Sequence, residues 1–183
     1  MKKQKKLIII TGPSGVGKGT VVKKILEKDK KIWLSTSATT REARDGEIEG
    51  ENYFFLTKNK FEDMIQKELF LEWAEFAGNY YGTPIKSVKN KIEEGFTVIL
   101  EIEVEGAKQI KGKFPKAISI FLLPPNEKEL ERRIRGRGTE SEDSINKRLS
   151  RSKYEIKSSI EFDYKVINKD VDETVSRIFE IIY

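Results

Sequence analysis

Short runs of apolar residues recur along the chain, and longer amphipathic stretches separate them. Several runs are rich in Ile, Val and Leu and do not alternate with polar residues. That pattern is typical of strands buried on both faces of a parallel sheet. The predicted strands are 7–10, 32–34, 53–56, 97–100, 117–123 and 166–167.

Helix-start signals stand in front of several of the amphipathic stretches. Asn59, Asn126 and Thr139 each precede a Glu by three positions, which is the spacing of a capping box. Pro84 suits the first turn of a helix. The predicted helices are 20–27, 59–66, 84–94, 105–111, 126–134, one that starts at 139, and 171–183.

Alternating strands and helices predict an α/β fold with a mostly parallel core sheet and helices on both of its faces. Residues 37–83 are interpreted as a small α+β insert with its own sheet, including a turn at 78–82 that carries paired tyrosines. Residues 126–150 are interpreted as a helical lid, two helices around a basic turn. The core is predicted to comprise 1–36, 84–125 and 151–183.

The composition is that of a globular protein. The chain has 183 residues, of which 36% are charged and 37% apolar. None of its apolar runs approaches the ~20 residues that a membrane span needs. The basic N-terminus leads into the short apolar run 7–10 and then a glycine-rich loop, unlike a signal peptide. We therefore expect a cytoplasmic protein without a membrane partner.

The chain contains neither cysteine nor histidine. This excludes a disulfide framework, thiol chemistry, and catalysis or metal binding through imidazole. The net charge of +5 could reflect nucleic-acid binding, or arginines gathered around phosphate groups. We favour phosphate groups, because no basic run is interleaved with aromatic residues.

The first predicted strand runs directly into a glycine-rich loop that ends in a lysine. Strand, glycine loop, lysine and helix in this order predict a phosphate-binding loop. Its glycines let the backbone approach an anion, and Lys18 adds a full positive charge. The predicted nucleotide-binding residues are Gly12, Pro13, Ser14, Gly15, Val16, Gly17, Lys18, Gly19 and Thr20.

Two features of the sequence indicate how Mg²⁺ would be bound. The residue after Lys18 is Gly19, where such loops usually have a metal-binding hydroxyl, and the hydroxyl comes one position later at Thr20. The buried strand 97–100 ends at Glu101, and Glu103 points the same way. An acid after an apolar strand is the pattern that holds Mg²⁺ or its waters. We predict Thr20 and Glu101 as metal-site residues, acting directly or through water; the alternative is that the two acids are solvated strand-end residues.

Arginines are more numerous than one bound triphosphate needs, and they fall on both the insert and the lid. A planar guanidinium suits two-point contact with phosphate. Arg41, Arg137 and Arg148 are predicted to contact phosphate, whereas Arg132, Arg133 and Arg151 are expected mainly on solvated helix faces. Phosphates approached from two sides favour phosphoryl transfer between nucleotides, which requires positioning and charge neutralisation more than a strong base.

Seven segments, spread over nearly the whole chain in order, together resemble the guanylate kinase family of bacterial type. Any one segment is modest support, but their order and spacing are highly specific. They are Gly-Pro-Ser-Gly-Val-Gly-Lys-Gly-Thr (12–20), Ser-Ala-Thr-Thr-Arg-Glu-Ala-Arg (37–44), Glu-Asn-Tyr-Phe-Phe (51–55), Leu-Glu-Trp-Ala-Glu-Phe (71–76), Gly-Asn-Tyr-Tyr-Gly-Thr (78–83), Gly-Arg-Gly-Thr-Glu (136–140) and Ile-Asn-Lys-Arg-Leu (145–149).

The resemblance implies transfer of the ATP γ-phosphoryl group to GMP with Mg²⁺, and makes the insert 37–83 the GMP-binding subdomain. It implies that Arg41, Arg44, Tyr53 and Tyr81 hold the GMP phosphate and that Ser37, Glu72, Thr83 and Glu103 read guanine. It further implies that Lys18, Arg41, Arg137 and Arg148 are catalytic and that Asn168 lies near adenine. Thr83 and Glu103 stand where the family often has Ser and Asp.

Three other readings compete with a guanylate kinase. A noncatalytic domain of the same fold, binding a phosphopeptide, is disfavoured because the glycines and Lys18 are intact. A regulatory GTPase is disfavoured because the Asn-Lys-x-Asp signature fails at Val171 after Asn168-Lys169-Asp170. A kinase for a different nucleoside monophosphate is the third alternative.

Overall fold

The computed structural model of the protein describes residues 6–76, 78–136 and 141–183. In this part of the chain the strands are β1 (Leu7–Thr11), β2 (Ile32–Leu34), β3 (Ser37–Thr39), β4 (Tyr53–Phe55), β5 (Phe70–Phe76), β6 (Asn79–Pro84), β7 (Thr97–Glu101), β8 (Ile118–Leu123) and β9 (Tyr164–Ile167). The helices are α1 (Lys18–Lys28), α2 (Lys58–Gln66), α3 (Ile85–Glu93), α4 (Val104–Lys113), α5 (Glu127–Arg135), α6 (Glu142–Lys157) and α7 (Val171–Ile182), with a 3₁₀ turn at Ser158–Glu161.

The core sheet is parallel throughout, in the order β2-β7-β1-β8-β9. Strand β1 lies at its centre, where Ile9 pairs with Leu100 of β7 and with Ser119 of β8. Ile8 and Ile10 pack with helices α1 and α7 on one face, and Ile9 packs with helix α4 on the other. The predicted α/β fold class is confirmed. The carboxyl ends of β1 and β7 are thereby neighbours, where parallel α/β sheets bind their ligands.

A second sheet, in the order β4-β3-β6-β5, is built from the insert. Its aromatic core stacks Phe61 of α2 on Phe70, with ring centroids 4.3 Å apart, and on Tyr80 at 5.4 Å. The predicted turn at 78–82 is wrong, because strand β6 begins at Asn79 and pairs with both β3 and β5. Pairing on two sides satisfies the backbone more fully than an isolated turn would.

Two predicted helix starts are also wrong. Helix α2 begins at Lys58, because the Thr57 hydroxyl accepts the N–H of Lys60 and leaves Asn59 inside the helix. Helix α6 begins at Glu142 after Ser141, whose hydroxyl caps it, rather than at Thr139, which lies outside the described residues. Ser and Thr compete as caps wherever several stand close together, so sequence alone leaves the start ambiguous.

Helices α5 and α6 pack against each other, with Leu130, Ile134 and Ile145 buried between them. Helix α6 extends past residue 150, so it continues from the predicted lid into the predicted core. The boundaries of insert, lid and core stay predictions.

Candidate active site

The loop between β1 and α1, residues 12–17 (the glycine loop below), turns back over the carboxyl end of the sheet. Gly15 and Gly17 have φ values of +83° and +97°, which residues with a Cβ rarely adopt. Gly17 is the N-cap of helix α1, which begins at Lys18. The first N–H groups of this helix have no partner within the helix, so they are suited to bind an anion.

Two polar side chains from the far end of the chain hold the glycine loop in place. Asn168, 3% exposed, donates from Nδ2 to the carbonyl oxygen of Val16 at 2.7 Å, and its own Oδ1 accepts from Thr174. Arg133 donates to the same Val16 carbonyl and to the Asn168 carbonyl, both at 3.1 Å. The expectation that Arg133 is a solvated helix-face charge is therefore wrong. Its position follows from the packing of α5 against the loop, which helix periodicity alone does not reveal.

A cavity of about 270 Å³ opens beside the glycine loop. It borders the N-terminus of α1, and its walls combine backbone of the loop with polar and cationic side chains. Its lining residues are Gly15, Gly17, Thr20, Arg133, Asn168, Lys169 and Val171. The predicted nucleotide residues Thr20 and Asn168 are thus brought to one cavity.

Lys18 and Arg148 converge on the glycine loop from different elements. Lys18 Nζ donates to the carbonyl oxygen of Gly12 at 2.6 Å. Arg148 of α6 donates from Nη2 and Nε to the hydroxyl oxygen of Ser14, at 2.8 and 3.2 Å. Both cations therefore lie where phosphates on the loop would meet them. Arg137, the third predicted cation, lies outside the described residues.

The two strand-end acids have different surroundings. Glu101 faces the loop side: its Oε1 lies 3.7 Å from the position a Cβ on Gly19 would take. Burial raises the pKa of Glu101, the charge of Lys18 lowers it, and the charge of Glu103 raises it. Glu103 is largely exposed at the N-cap of α4, 3.7 Å from the guanidinium of Arg151. Arg151 also pairs with the buried Glu155 at 2.8 Å, but its own side chain is exposed, in line with the prediction of a solvated helix-face charge.

A buried carboxylate lies where the insert meets the core. Glu72 of β5 is 6% exposed, and the Thr83 hydroxyl donates to its Oε1 at 2.6 Å. Burial raises the pKa of Glu72, while the contacts with Thr83 and the charge of Lys113 lower it. The Oε2 atom lies only 2.5 Å from where a Cβ on Gly106 would be. Gly106 therefore makes room for the carboxylate, a role that the sequence analysis missed.

A second group of polar side chains, the insert cluster, is built around the Arg41 guanidinium and consists of Arg41, Glu47, Tyr53 and Tyr81. Arg41 pairs at two points with Glu47, both at 2.9 Å, and lies over the Tyr53 ring at 5.3 Å. The Tyr53 and Tyr81 rings meet edge to face. Glu47, which the sequence analysis missed, also accepts the backbone N–H of Arg44 at 2.8 Å. Ser37 lies in register with Tyr53 on the neighbouring strand.

The charge of the strand-end acid Glu101 acts on Tyr53 of the insert cluster. Burial raises the pKa of Tyr53, and the charges of Tyr81 and Glu101 raise it further while that of Arg41 lowers it. Glu101, beside the loop, is thus within electrostatic range of the cluster. The glycine loop with Lys18 and the insert cluster with Arg41, both within electrostatic range of Glu101, are suited to hold two phosphate groups for transfer between them.

A glycine loop at the centre of a parallel sheet, with a lysine at the first residue of the following helix, defines a phosphate-loop protein. Proteins of this class bind nucleotide phosphates. Within residues 6–76, 78–136 and 141–183, no helix is long and apolar enough to cross a membrane.

Comparison with known proteins narrows the class. The model of the guanylate kinase family matches residues 4–183. A guanylate kinase from Prochlorococcus marinus strain MIT 9312 is 69% identical over 182 residues, covering 100% of this chain and 99% of the relative. One from Prochlorococcus marinus subsp. pastoris is 64% identical with the same coverage. The crystal structure of guanylate kinase from Anaplasma phagocytophilum has a TM-score of 0.80 at 31% identity, covering 100% of this chain and 86% of that one.

The chain belongs to the guanylate kinase family. It is a nucleoside monophosphate kinase, and the resemblance deduced from seven sequence segments is confirmed. The reading as a regulatory GTPase and the reading as a kinase for another nucleotide are not supported by these comparisons.

Proposed function

We propose that the protein transfers the γ-phosphoryl group of ATP to GMP, reversibly giving ADP and GDP, in the cytoplasm. The observation that carries this proposal is the pair of sites, the glycine loop with Lys18 and the insert cluster with Arg41, both within electrostatic range of Glu101. The partners are small molecules, ATP and GMP, rather than nucleic acid.

On the donor side, the glycine loop and the N-terminus of α1 bind the ATP phosphates, and Lys18, Arg148 and Arg137 stabilise the charge of the transferring group. Lys18 and Arg148 are held against the loop by hydrogen bonds within the protein. Charges held in this way need little reorganisation during the reaction. Asn168 keeps the loop in shape and lies at the cavity beside it, where we place the adenine nucleoside.

On the acceptor side, Arg41, Arg44, Tyr53 and Tyr81 hold the GMP phosphate. Guanine is read by Ser37, Glu72, Thr83 and Glu103. Guanine presents donors at N1 and N2 and an acceptor at O6, so a carboxylate accepts from the ring edge while a hydroxyl donates to O6. Adenine presents an acceptor at N1 and would face the carboxylate with a repulsive contact.

Magnesium would be held at the Glu101 end of the site. These residues suit Mg²⁺ by their chemistry, because the Glu101 carboxylate oxygen beside Gly19 is the kind of hard oxygen ligand that Mg²⁺ prefers. Thr20 lines the cavity on the nucleotide side, so its hydroxyl would reach the ion through water or bind the ATP phosphates. When bound, the ion neutralises charge on the phosphates. No group of three Asp or Glu side chains comes together in the described residues, so ATP oxygens and water would complete its coordination.

An ADP-release assay with ATP and parallel acceptors GMP, dGMP, AMP, CMP and UMP tests the proposed reaction. We expect GMP to exceed AMP by roughly 10⁴-fold in kcat/KM, because unpaired buried polar groups reject the wrong base. Equal use of AMP would reject guanine specificity. No release with any acceptor would reject kinase activity and favour the noncatalytic alternative.

Gly106→Ala should raise the KM for GMP by about tenfold, because the new Cβ would lie 2.5 Å from Glu72 Oε2 and displace the carboxylate. Gly112→Ala on the same helix is the matched control, since an added Cβ there meets nothing within 4 Å. Steady-state kinetics with GMP varied measure the effect. An unchanged KM in Gly106→Ala would contradict the claim that this glycine sets the position of Glu72.

A further inference from the structure

Glu47 accepts three hydrogen bonds from Arg41 and Arg44, although nothing in the local sequence marks it as a site residue. Its two carboxylate oxygens accept from Nη1 and Nη2 of Arg41, both at 2.9 Å, and Oε2 also accepts from the backbone N–H of Arg44 at 2.8 Å. The side chains of Arg41 and Glu47 are 15% and 20% exposed. Two parallel charge-assisted bonds between partly buried groups fix direction as well as distance.

The carboxylate is brought back to Arg41 by a tight turn. The backbone N–H of Glu47 donates to the Arg44 carbonyl at 3.0 Å, and Gly46 within the turn has a φ of +83°. The two arginines that we assign to the acceptor phosphate are therefore tied to one carboxylate. Any change in the position of Glu47 would move both the Arg41 guanidinium and the Arg44 backbone.

The donors of Arg41 are divided between its two edges. A guanidinium has five N–H donors in a rigid fork. The Glu47 carboxylate accepts one N–H from Nη1 and one from Nη2. The Glu42 carbonyl oxygen accepts the second N–H of Nη1 at 2.7 Å. Nε–H and the second Nη2–H lie together on the other edge, which has the two-point geometry that a phosphate accepts. Glu47 thus occupies the Nη1/Nη2 edge and leaves the two donors of the Nε/Nη2 edge for other acceptors.

The faces of the guanidinium are constrained too. Its central carbon lies 5.3 Å from the Tyr53 ring centroid and 5.9 Å from that of Phe55. A hydrogen bond with Glu47 is the main reason that the pKa of Arg41 is raised, and a hydrogen bond with Tyr81 adds to it. Because Glu42 and Glu47 take the other three donors, the contact with Tyr81 is made from the Nε/Nη2 edge, and the phosphate would be received on that edge beside the Tyr81 hydroxyl.

We propose that Glu47 is a positioning residue for acceptor binding: it holds the Arg41 guanidinium in the orientation that presents the Nε/Nη2 edge to the acceptor phosphate. The inference rests on the proposed function, since it takes Arg41 to be a ligand of that phosphate. The alternative is that Glu47 competes with the acceptor phosphate: its carboxylate would then occupy the phosphate site on Arg41, and GMP would have to displace it.

A double-mutant cycle tests the inference. GMP binding is measured by isothermal titration calorimetry without ATP in the wild type, Glu47→Gln, Arg41→Ala and the double variant. We expect Glu47→Gln to weaken GMP binding by about tenfold in the wild-type background, through loss of the charge-assisted pair. The effect should be much smaller where Arg41 is already alanine, because only the hydrogen bond from the Arg44 backbone to Glu47 then remains. Glu51→Gln, an exposed acid on the same segment, is the matched control.

The other outcomes separate the explanations. Equal weakening in both backgrounds would mean that Glu47 only supports the loop, and tighter binding in Glu47→Gln would mean that it competes with phosphate; either result overturns the inference. Arg41→Ala with unchanged GMP affinity would instead reject the phosphate site of the proposed function. If thermal melting shows that Glu47→Gln is unfolded, Glu47→Asp takes its place in the cycle and should give a smaller loss with the same dependence on Arg41.

Discussion

Replacing Lys18 by methionine is expected to lower kcat for GMP phosphorylation by about 10²- to 10³-fold or more, with the fold intact. The Nζ atom lies on the glycine loop, where it donates to the Gly12 carbonyl at 2.6 Å. An ammonium group has three donors, so others remain for phosphate oxygens. Methionine keeps most of the apolar stem and removes the charge, so the loss falls on the transition state for phosphoryl transfer.

Lys23→Met is the control for this variant, because Lys23 lies on an exposed face of the same helix and the substitution is identical. Coupled ADP-release kinetics give kcat, and thermal unfolding followed by circular dichroism checks the fold. A Lys18→Met enzyme with the kcat of the wild type would reject the assignment of the glycine loop as the ATP phosphate site.

The sequence was most informative where local pattern and burial agree. The run Ile8–Ile10 is apolar at successive positions, and all three residues are fully buried in the central strand. A strand covered on both faces needs no alternation, so the pattern identified it directly. The glycine loop was predictable for a related reason: its glycines, lysine and flanking elements are contiguous in the chain.

Contacts between distant segments were beyond the reach of sequence patterns. Strand β6 was missed because the glycines at 78 and 82 favour a turn locally, while pairing with β3 and β5 stabilises a strand. Arg133 looks like any charge on an exposed helix face until α5 is placed beside Val16. Glu47 meets Arg41 only because the intervening turn folds back, and a single acid in a polar segment carries no signal of that.

Gly106 is a case where a signal was present but not used. Glycine in a helix costs about 1 kcal/mol relative to alanine, so its presence in α4 calls for a packing reason. The reason is the Glu72 carboxylate, which approaches closer than a Cβ would permit. The sequence could therefore have indicated that something lies against α4, although not which residue.

Glu72→Gln is expected to raise the KM for GMP by about 10- to 100-fold, because charge-assisted hydrogen bonds to the guanine edge are lost and an amide N–H₂ can face the base donors instead. The variant should still fold, since the Gln carbonyl oxygen can accept from Thr83 as Glu72 Oε1 does at 2.6 Å. Glu75→Gln, an exposed position on the same strand, is the control. Kinetics with GMP and ATP varied separately should show the change in the KM for GMP alone. An unchanged KM for GMP would place the guanine-reading carboxylate elsewhere, with Glu103 the next residue to test.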